Sequence, residues 1–121
     1  MIKMTQEMVM EFTEKNFEKE VINSELPVMV EFWGSWCPPC KMMDPVMAKL
    51  EEEYAGMVKI GKINADRNPR LRNRYNIRGV PTFIMFANGK EMERYVAAKS
   101  EDELRKILKR IYQINRQTEK D

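Results

Sequence analysis

Residues Val28–Cys40 read V-M-V-E-F-W-G-S-W-C-P-P-C, and this stretch decides how the rest of the chain is interpreted. An apolar run from Val28 to Trp33, interrupted by the single acid Glu31, predicts a central strand in a sheet that helices cover on both faces. A turn then leads to two cysteines three residues apart, at the start of a long helical pattern. Two thiols at this spacing can close a small ring or stay open.

The composition fits one ordered domain over residues 1–121 and excludes several kinds of protein. The chain is 43% hydrophobic and 33% charged, and a domain of this length can bury about two-thirds of its unfolded surface. The formal charge of +2 is too small to predict binding to nucleic acid or to an anionic membrane. No apolar run is long enough to span a bilayer and the N-terminus lacks a signal-peptide pattern, so we expect a cytoplasmic protein.

Two cysteines and no histidine narrow the chemistry further. A structural zinc site needs about four thiolate or imidazole ligands, so we predict no metal site. Activation of a nucleophile by histidine is excluded, and proton transfer falls to carboxylates, lysines or the thiols. The eleven methionines could suggest copper, but Met43 and Met47 recur at helical spacing, which favours core filling. Five arginines crowd residues 67–78, where a solvated helix face is favoured over a site for an acidic partner.

The order of the other predicted elements indicates an α/β fold, a small mixed sheet with helices on both faces. Before the central strand, the sequence predicts a loose leader over 1–7, a strand at Met8–Phe12 and a helix over Glu14–Ile22 with Thr13 as its N-cap. After the central strand, we predict helices from Pro38 to about Ala55, from Pro69 to about Tyr75 and from Ser100 to about Ile114. The predicted strands are Val58–Asn64, Phe83–Ala87 and Glu91–Val96, and a hairpin turn at Asn88-Gly89 joins the last two. Residues Arg116–Asp121 are predicted to form a polar tail.

The helix start at Cys37 is expected to give the two thiols different properties. Unpaired backbone N–H groups and the helix dipole favour the thiolate of Cys37, which would attack a disulfide and form a mixed disulfide. Cys40 lies one turn inside the helix and is expected to be more buried and to resolve that intermediate. Trp36 would shield the site, and Pro38 and Pro39 would stiffen the ring.

Glu31 interrupts a strand that is otherwise apolar, nine residues before Cys40. Burial raises the pKa of a carboxyl group, so Glu31 could accept and return a proton near neutral pH as the base for the Cys40 thiol. The alternative is a structural ion pair between Glu31 and Lys62 on the neighbouring strand. Burial alone does not decide between these two roles.

Four ordered motifs carry a resemblance to a known family, and together they are highly specific. They are W-C-P-P-C-K at Trp36–Lys41, K-I-N-A-D-R-N-P at Lys62–Pro69, G-V-P-T at Gly79–Thr82 and F-A-N-G at Phe86–Gly89. With these motifs in this order, the chain from about Met8 to Ile114 resembles the thioredoxin family. The resemblance implies the thioredoxin fold, with a central mixed sheet of five strands, and thiol–disulfide exchange with proteins.

The resemblance also assigns roles to the residues around the cysteines. Cys37 and Cys40 match the nucleophilic and the resolving thiol, and their pair would be the redox-active disulfide. Glu31 matches the buried acid of the family and Lys62 matches the lysine partner of that acid, which favours the catalytic role of Glu31.

A substrate groove is implied beside the cysteines. Pro81 matches a proline whose preceding bond is cis, and Val80 would offer its backbone to an extended substrate strand. Three residues depart from the family pattern, because Glu31 stands where Asp is more frequent, Pro38 replaces Gly, and Ala97 stands where a glycine commonly floors the groove. The other positions that would line or support the site are Trp33, Trp36, Pro39, Pro45, Asp66 and Gly79.

We therefore expect a protein-disulfide reductase that binds no cofactor and is re-reduced by a separate thioredoxin reductase. Its partners would be disulfide-containing proteins, with neither nucleic acid nor membrane among them, and the chain would act as a monomer. An oxidase, an isomerase or a redox partner dedicated to one client would use the same residues. A non-catalytic binding module of the same fold is a further alternative, and the intact cysteine pair, Trp36 and Pro81 argue against it.

Overall fold

The computed structural model describes residues 9–120, with the backbone alone for residues 118–120, so the leader predicted over 1–7 lies outside the described residues. Within this range, five strands and three α-helices follow one another, with a short π-helix near the beginning. The strands are β1 (Met10–Glu11), β2 (Val28–Trp33), β3 (Lys59–Asn64), β4 (Thr82–Ala87) and β5 (Lys90–Val96). The helices are the π-helix Glu18–Ile22, α1 (Pro38–Glu53), α2 (Pro69–Arg74) and α3 (Glu101–Lys120).

Strand β2 lies in the centre of the sheet, as its apolar run predicts. The strand order is β1-β3-β2-β4-β5, with β2 parallel to β3 and antiparallel to β4. Strand β1 is parallel to β3, and β5 forms the opposite edge, antiparallel to β4. The predicted mixed sheet of five strands is therefore confirmed.

Helices cover both faces of the sheet and enclose two apolar cores. On one face α1 and α3 enclose a cluster that includes Met29, Met43, Met47, Met85 and Leu108. On the other face the π-helix and α2 enclose a cluster that includes Phe17, Val30, Ile63, Leu71 and Phe86. The burial of Met43 and Met47 confirms their predicted role in the core. Because alternate residues of a strand share a face, Glu31 lies on the same side of β2 as Met29, the side that α1 covers.

Two local signals in the sequence form the structures they predict. Asn88 and Gly89 connect β4 to β5 in a two-residue turn, with φ angles of 54° and 78° that suit asparagine and glycine. At the start of α3, Ser100 Oγ accepts the backbone N–H of Glu103 at 3.1 Å, and Glu103 Oε1 accepts the backbone N–H of Ser100 at 2.9 Å. These reciprocal bonds are the predicted capping box.

The first predicted helix begins later than its sequence pattern suggests. Residues 14–16 form turns, and the helical segment is the π-helix Glu18–Ile22. Thr13 still makes the bonds of an N-cap, because its Oγ1 accepts the backbone N–H of Lys15 at 3.2 Å and its carbonyl oxygen accepts the backbone N–H of Phe17 at 2.9 Å. Its own N–H donates to Asn16 Oδ1 at 2.7 Å, which resembles the reciprocal bond of a capping box.

Helix α3 is longer than predicted. It continues to Lys120, so the predicted end of the helix near Ile114 is wrong, and residue 121 lies outside the described range. That the tail over residues 116–121 is loose stays a prediction. The sequence after Ile114 contains neither glycine nor proline, and polar residues with good helix propensity extend the last turns. In the described part of the chain, no helix combines the length and apolar character needed to cross a membrane.

Candidate active site

Cys37 ends the connection from β2 to α1, Cys40 lies in the first turn of α1, and the two are joined by a disulfide. Cys37 is the N-cap residue of α1, and Pro38 and Pro39 follow at the first helical positions. Proline suits these positions because the N–H that it lacks would have no helical partner there. Cys37 Sγ accepts the backbone N–H of Cys40 at 3.1 Å, so this sulfur lies against the N–H groups at the helix N-terminus.

The surroundings of the two sulfurs differ in the predicted sense. Cys37 is 7% exposed and Cys40 is 2% exposed, so a substrate sulfur meets Cys37 first. Trp36 is 93% exposed, and its indole stands in solvent on a turn with little packed around it. Its ring borders a cleft of about 280 Å³ beside Cys37, and the shielding of the disulfide by Trp36 stays a prediction.

The segment Gly79–Thr82, which we call the proline loop, meets this region from the start of β4. Its Val80–Pro81 peptide bond is cis, as the resemblance implied. A Cβ atom at Gly34 would lie 3.4 Å from Val80 Cγ2 and 3.7 Å from Asp66 Oδ2. The proline loop and Asp66 therefore pack against the turn that leads into α1.

Of the four residues predicted to support the site, Gly79 begins the proline loop, and the other three occupy different surroundings. Asp66 Oδ2 accepts the backbone N–H of Ser35 at 3.3 Å, which holds the turn before Cys37. The ring of Trp33 lies under the ammonium group of Lys62, 5.0 Å from Nζ to the ring centre. Pro45 lies inside α1 on its exposed side, so the structure brings Asp66 and Trp33, but not Pro45, to the site.

Ala97 lies beside the proline loop, in a backbone conformation that is unusual for alanine. Its φ is 94°, and its backbone N–H donates to Pro81 O at 2.9 Å. In the left-handed region the Cβ atom crowds the following carbonyl oxygen, at a cost of about 1–2 kcal/mol. The position favours glycine, and the alanine adds a methyl group at this edge of the loop.

Ala97→Gly is expected to raise the free energy of unfolding by about 0.5–1 kcal/mol, because the relief of strain exceeds the entropy that glycine adds to the unfolded chain. Chemical denaturation of the oxidised proteins measures the difference. The matched control is Ala98→Gly, since Ala98 has no positive φ and this variant should be less stable than the parent protein. A loss of stability in Ala97→Gly would show that the strain at Ala97 is negligible.

Glu31 is fully buried, at 0% exposure, and neither carboxylate oxygen has a hydrogen-bond partner among the described residues. Burial raises the pKa of Glu31 from 4.5 to about 8. The negative charge of Asp44 acts in the same direction, and the positive charge of Lys62 lowers the pKa. The carboxyl group is therefore able to hold a proton at neutral pH.

Lys62 lies opposite Glu31 in the register of β2 and β3, but its ammonium group bonds a different acid. Lys62 Nζ lies 3.2 Å from Asp44 Oδ1 on α1. The structural ion pair between Glu31 and Lys62 that the sequence left open is not formed, so that alternative is wrong. The side chain of Asp44 is 37% exposed, and a partly hydrated carboxylate carries its charge at lower cost than a buried one.

Asp44 is the residue of this site that sequence reasoning missed. It follows Cys40 by four residues on α1, so the two share a helix face, and this spacing was a usable signal. The reach of the Lys62 side chain from the sheet to the helix is a tertiary feature with no trace in the sequence.

Comparison with known proteins decides the family of the chain. A family model described as Thioredoxin matches residues 8–110. The chain belongs to the thioredoxin family. The thioredoxin of Rickettsia felis is 40% identical to it over 92 residues, which cover 76% of this chain and 88% of the relative. The thioredoxin of Porphyra purpurea is 40% identical over 100 residues, which cover 83% and 94% of the two chains.

A plant relative shows the same similarity over part of a longer chain. Thioredoxin M5, chloroplastic, from Oryza sativa subsp. japonica is 43% identical over 95 residues, which cover 78% of this chain and 55% of the relative. As a thioredoxin, the chain is a protein-disulfide oxidoreductase, and the bond between Cys37 and Cys40 is its redox disulfide. Among the side chains that the structure describes, residues 9–117, no group of three or more His, Cys, Asp or Glu is placed to hold a metal ion.

Proposed function

We propose that this thioredoxin reduces protein disulfides, with Cys37 as the attacking thiol, Cys40 as the resolving thiol and Glu31 as the acceptor and donor of a proton. The observation that carries the proposal is the position of Cys37 Sγ at the N-terminus of α1, where it accepts the Cys40 N–H at 3.1 Å. In the reduced protein the same N–H and the helix dipole favour the Cys37 thiolate.

The first step forms a mixed disulfide. The Cys37 thiolate attacks one sulfur of the substrate disulfide, the S–S bond of the substrate breaks, and its other sulfur leaves as a thiolate. That thiolate takes up a proton from solvent. Attack at Cys37 is favoured over attack at Cys40 by the greater exposure of Cys37.

The second step transfers the remaining electrons and closes the ring. The Cys40 thiol gives its proton to the ionised form of Glu31 and attacks Cys37 Sγ, and the second substrate sulfur leaves as a thiolate that receives this proton. The products are a substrate dithiol and the Cys37–Cys40 disulfide. The pKa of Glu31, about 8, lies close to the ordinary thiol value of about 8.5, so a proton passes between the two groups at little free-energy cost.

The substrate chain is proposed to lie extended along the proline loop, where the backbone of Val80 can pair with it. Val80 is 36% exposed and its loop adjoins the turn before Cys37, which supports this placement. Trp36 and Pro38, which line the cleft together with Ser35 and Lys41, would form an apolar border with the neighbouring exposed Pro39. The methyl group of Ala97 would add bulk beside the proline loop relative to a glycine.

The partners follow from the redox balance. Each cycle leaves the protein oxidised, so two electrons must come from a separate reductase, which we propose to be a thioredoxin reductase. We propose that the chain acts as a monomer in the cytoplasm, in electron transport that maintains the redox state of the cell. The clients would be disulfide-containing proteins, with no nucleic acid or membrane involved. The word "chloroplastic" in the name of the rice relative describes that protein.

Reduction of insulin by dithiothreitol tests the proposal. The thioredoxin is expected to accelerate precipitation of the reduced insulin chains, and a rate equal to that of dithiothreitol alone would overturn the proposal and favour a binding module. Equilibration with glutathione then separates the redox alternatives. A reductant becomes oxidised by a small fraction of glutathione disulfide, whereas an oxidase or isomerase stays reduced at the same ratio.

A further inference from the structure

Asp44 contacts Lys62, a charged neighbour of the buried Glu31, and no step of the proposed reaction uses Asp44. Lys62 faces two carboxylates, because Glu31 is its register partner on β2 and Asp44 is its ion-pair partner on α1. The Lys62 side chain is 13% exposed and that of Asp44 is 37% exposed. The pair therefore lies between the core that holds Glu31 and the solvent.

We infer that Asp44 is a positioning residue that holds the Lys62 ammonium group on the helix side, away from Glu31, and thereby controls the proton on the buried acid. The effect of Asp44 on turnover rests on the proposed function of Glu31. The effect of Asp44 on the protonation of Glu31 does not depend on that proposed function. The geometry supports the inference because the ammonium group is fixed on two sides, by Asp44 Oδ1 at 3.2 Å and by the Trp33 ring at 5.0 Å.

The charged groups that act on Glu31 come from two of the elements packed against it. Helix α1 contributes the negative charge of Asp44, and β3 contributes the positive charge of Lys62. Strand β4 places Phe83, which does not titrate, opposite Glu31. The cysteines do not titrate in the disulfide state. In the oxidised protein the proton on Glu31 is therefore governed by its burial and by these two charges.

Removal of the Asp44 charge has two effects of the same sign. The direct repulsion of the Glu31 carboxylate disappears, and the Lys62 ammonium loses its partner and turns toward the other acid within reach. An opposite charge within about 4–6 Å of a carboxylate lowers its pKa by roughly 1–3 units. Loss of the proton from Glu31 is thus expected at lower pH.

The test follows the carboxyl carbon of Glu31 by NMR as the oxidised protein is titrated with base. In Asp44→Asn the midpoint is expected to fall by about one pH unit or more. Asp44→Glu keeps the charge and should restore the midpoint of the parent protein. Glu52→Gln removes an exposed charge from the same helix and should leave the midpoint unchanged. An unchanged or higher midpoint in Asp44→Asn overturns the inference.

A second background separates positioning of Lys62 from direct repulsion by Asp44. In Lys62→Gln the ammonium group is absent, so the further substitution Asp44→Asn should shift the midpoint much less than it does in the parent protein. Equal shifts in the two backgrounds would overturn the positioning role. Amide spectra recorded on the same samples show that each variant is folded.

The pH profile of insulin reduction distinguishes failure of this inference from failure of the proposed function. If both are correct, the optimum of Asp44→Asn moves to lower pH and this movement is absent when Glu31→Gln is added. If Glu31→Gln alone keeps the profile of the parent protein, Glu31 has no proton role in turnover. The NMR midpoints still support or overturn the action of Asp44 in that case.

Discussion

Replacing Cys37 with serine is expected to abolish the contribution of the protein to insulin reduction, leaving only the rate of dithiothreitol. A serine hydroxyl is not ionised at neutral pH and cannot form a mixed disulfide, so the first covalent step is lost. The helix N-terminus that favours the Cys37 thiolate remains in place, since Pro38 and Pro39 still begin α1. The turbidity assay on the variant and on the parent protein measures the effect.

The control for this substitution is Cys40→Ser, which also lacks the disulfide but keeps the attacking thiol. It should form one mixed disulfide with substrate and keep it until dithiothreitol releases it, because the resolving thiol is missing, and intact mass detects this adduct. Loss of the disulfide alone therefore cannot explain a difference between the two variants. Insulin reduction by Cys37→Ser at the rate of the parent protein would contradict the assignment of the nucleophile.

Glu31→Gln is expected to remove most of the pH dependence of stability between pH 4.5 and about 8. The folded state of the parent protein keeps a proton on Glu31 up to about pH 8, while the unfolded state releases it near 4.5. The folded state thus binds more protons in this window, and the free energy of unfolding falls as pH rises through it. A shift from 4.5 to about 8 corresponds to about 5 kcal/mol, at roughly 1.36 kcal/mol per pH unit.

Urea denaturation of the oxidised proteins at several pH values measures the slope of the free energy of unfolding against pH. Burying a glutamine amide adds a cost that is the same at every pH, so it does not change this slope. Above about pH 8 the slope due to Glu31 should vanish, because both states have released the proton. Glu52→Gln on the surface of α1 is the matched control and should retain the slope of the parent protein. A Glu31→Gln variant that also retained it would refute a raised pKa at Glu31.

Much of the fold could be predicted because its signals are local. The apolar run of β2 has no polar face, so it had to lie in the middle of a covered sheet, and the structure places it there. Asn88-Gly89 and the Ser100–Glu103 capping box work through backbone groups within a few residues of themselves. Short sequence motifs likewise predicted the Cys37–Cys40 pair and the cis bond before Pro81.

The features that escaped prediction depend on contacts between distant segments or on competition among local bonds. Lys62 pairs with Asp44 instead of Glu31 because its long side chain reaches from the sheet to α1, where the partly exposed Asp44 carries its charge at lower cost than the buried Glu31. Trp36 belongs to a conspicuous motif, yet the exposure of its side chain depends on whether distant segments of the chain pack against it. The turn around Thr13 and the extension of α3 beyond Ile114 depend on hydrogen bonds that residue periodicity does not specify.

The central claim, that Cys37 attacks and Cys40 resolves, is tested most directly by trapping the mixed disulfide. Reduced Cys40→Ser and reduced Cys37→Ser are each mixed at neutral pH with the same peptide disulfide, quenched with acid at matched times, and analysed by intact mass. Cys40→Ser is predicted to gain one half of the peptide rapidly and in stoichiometric amount, while Cys37→Ser gains almost none in the same time. Equal or faster adduct formation at Cys40 would contradict the account.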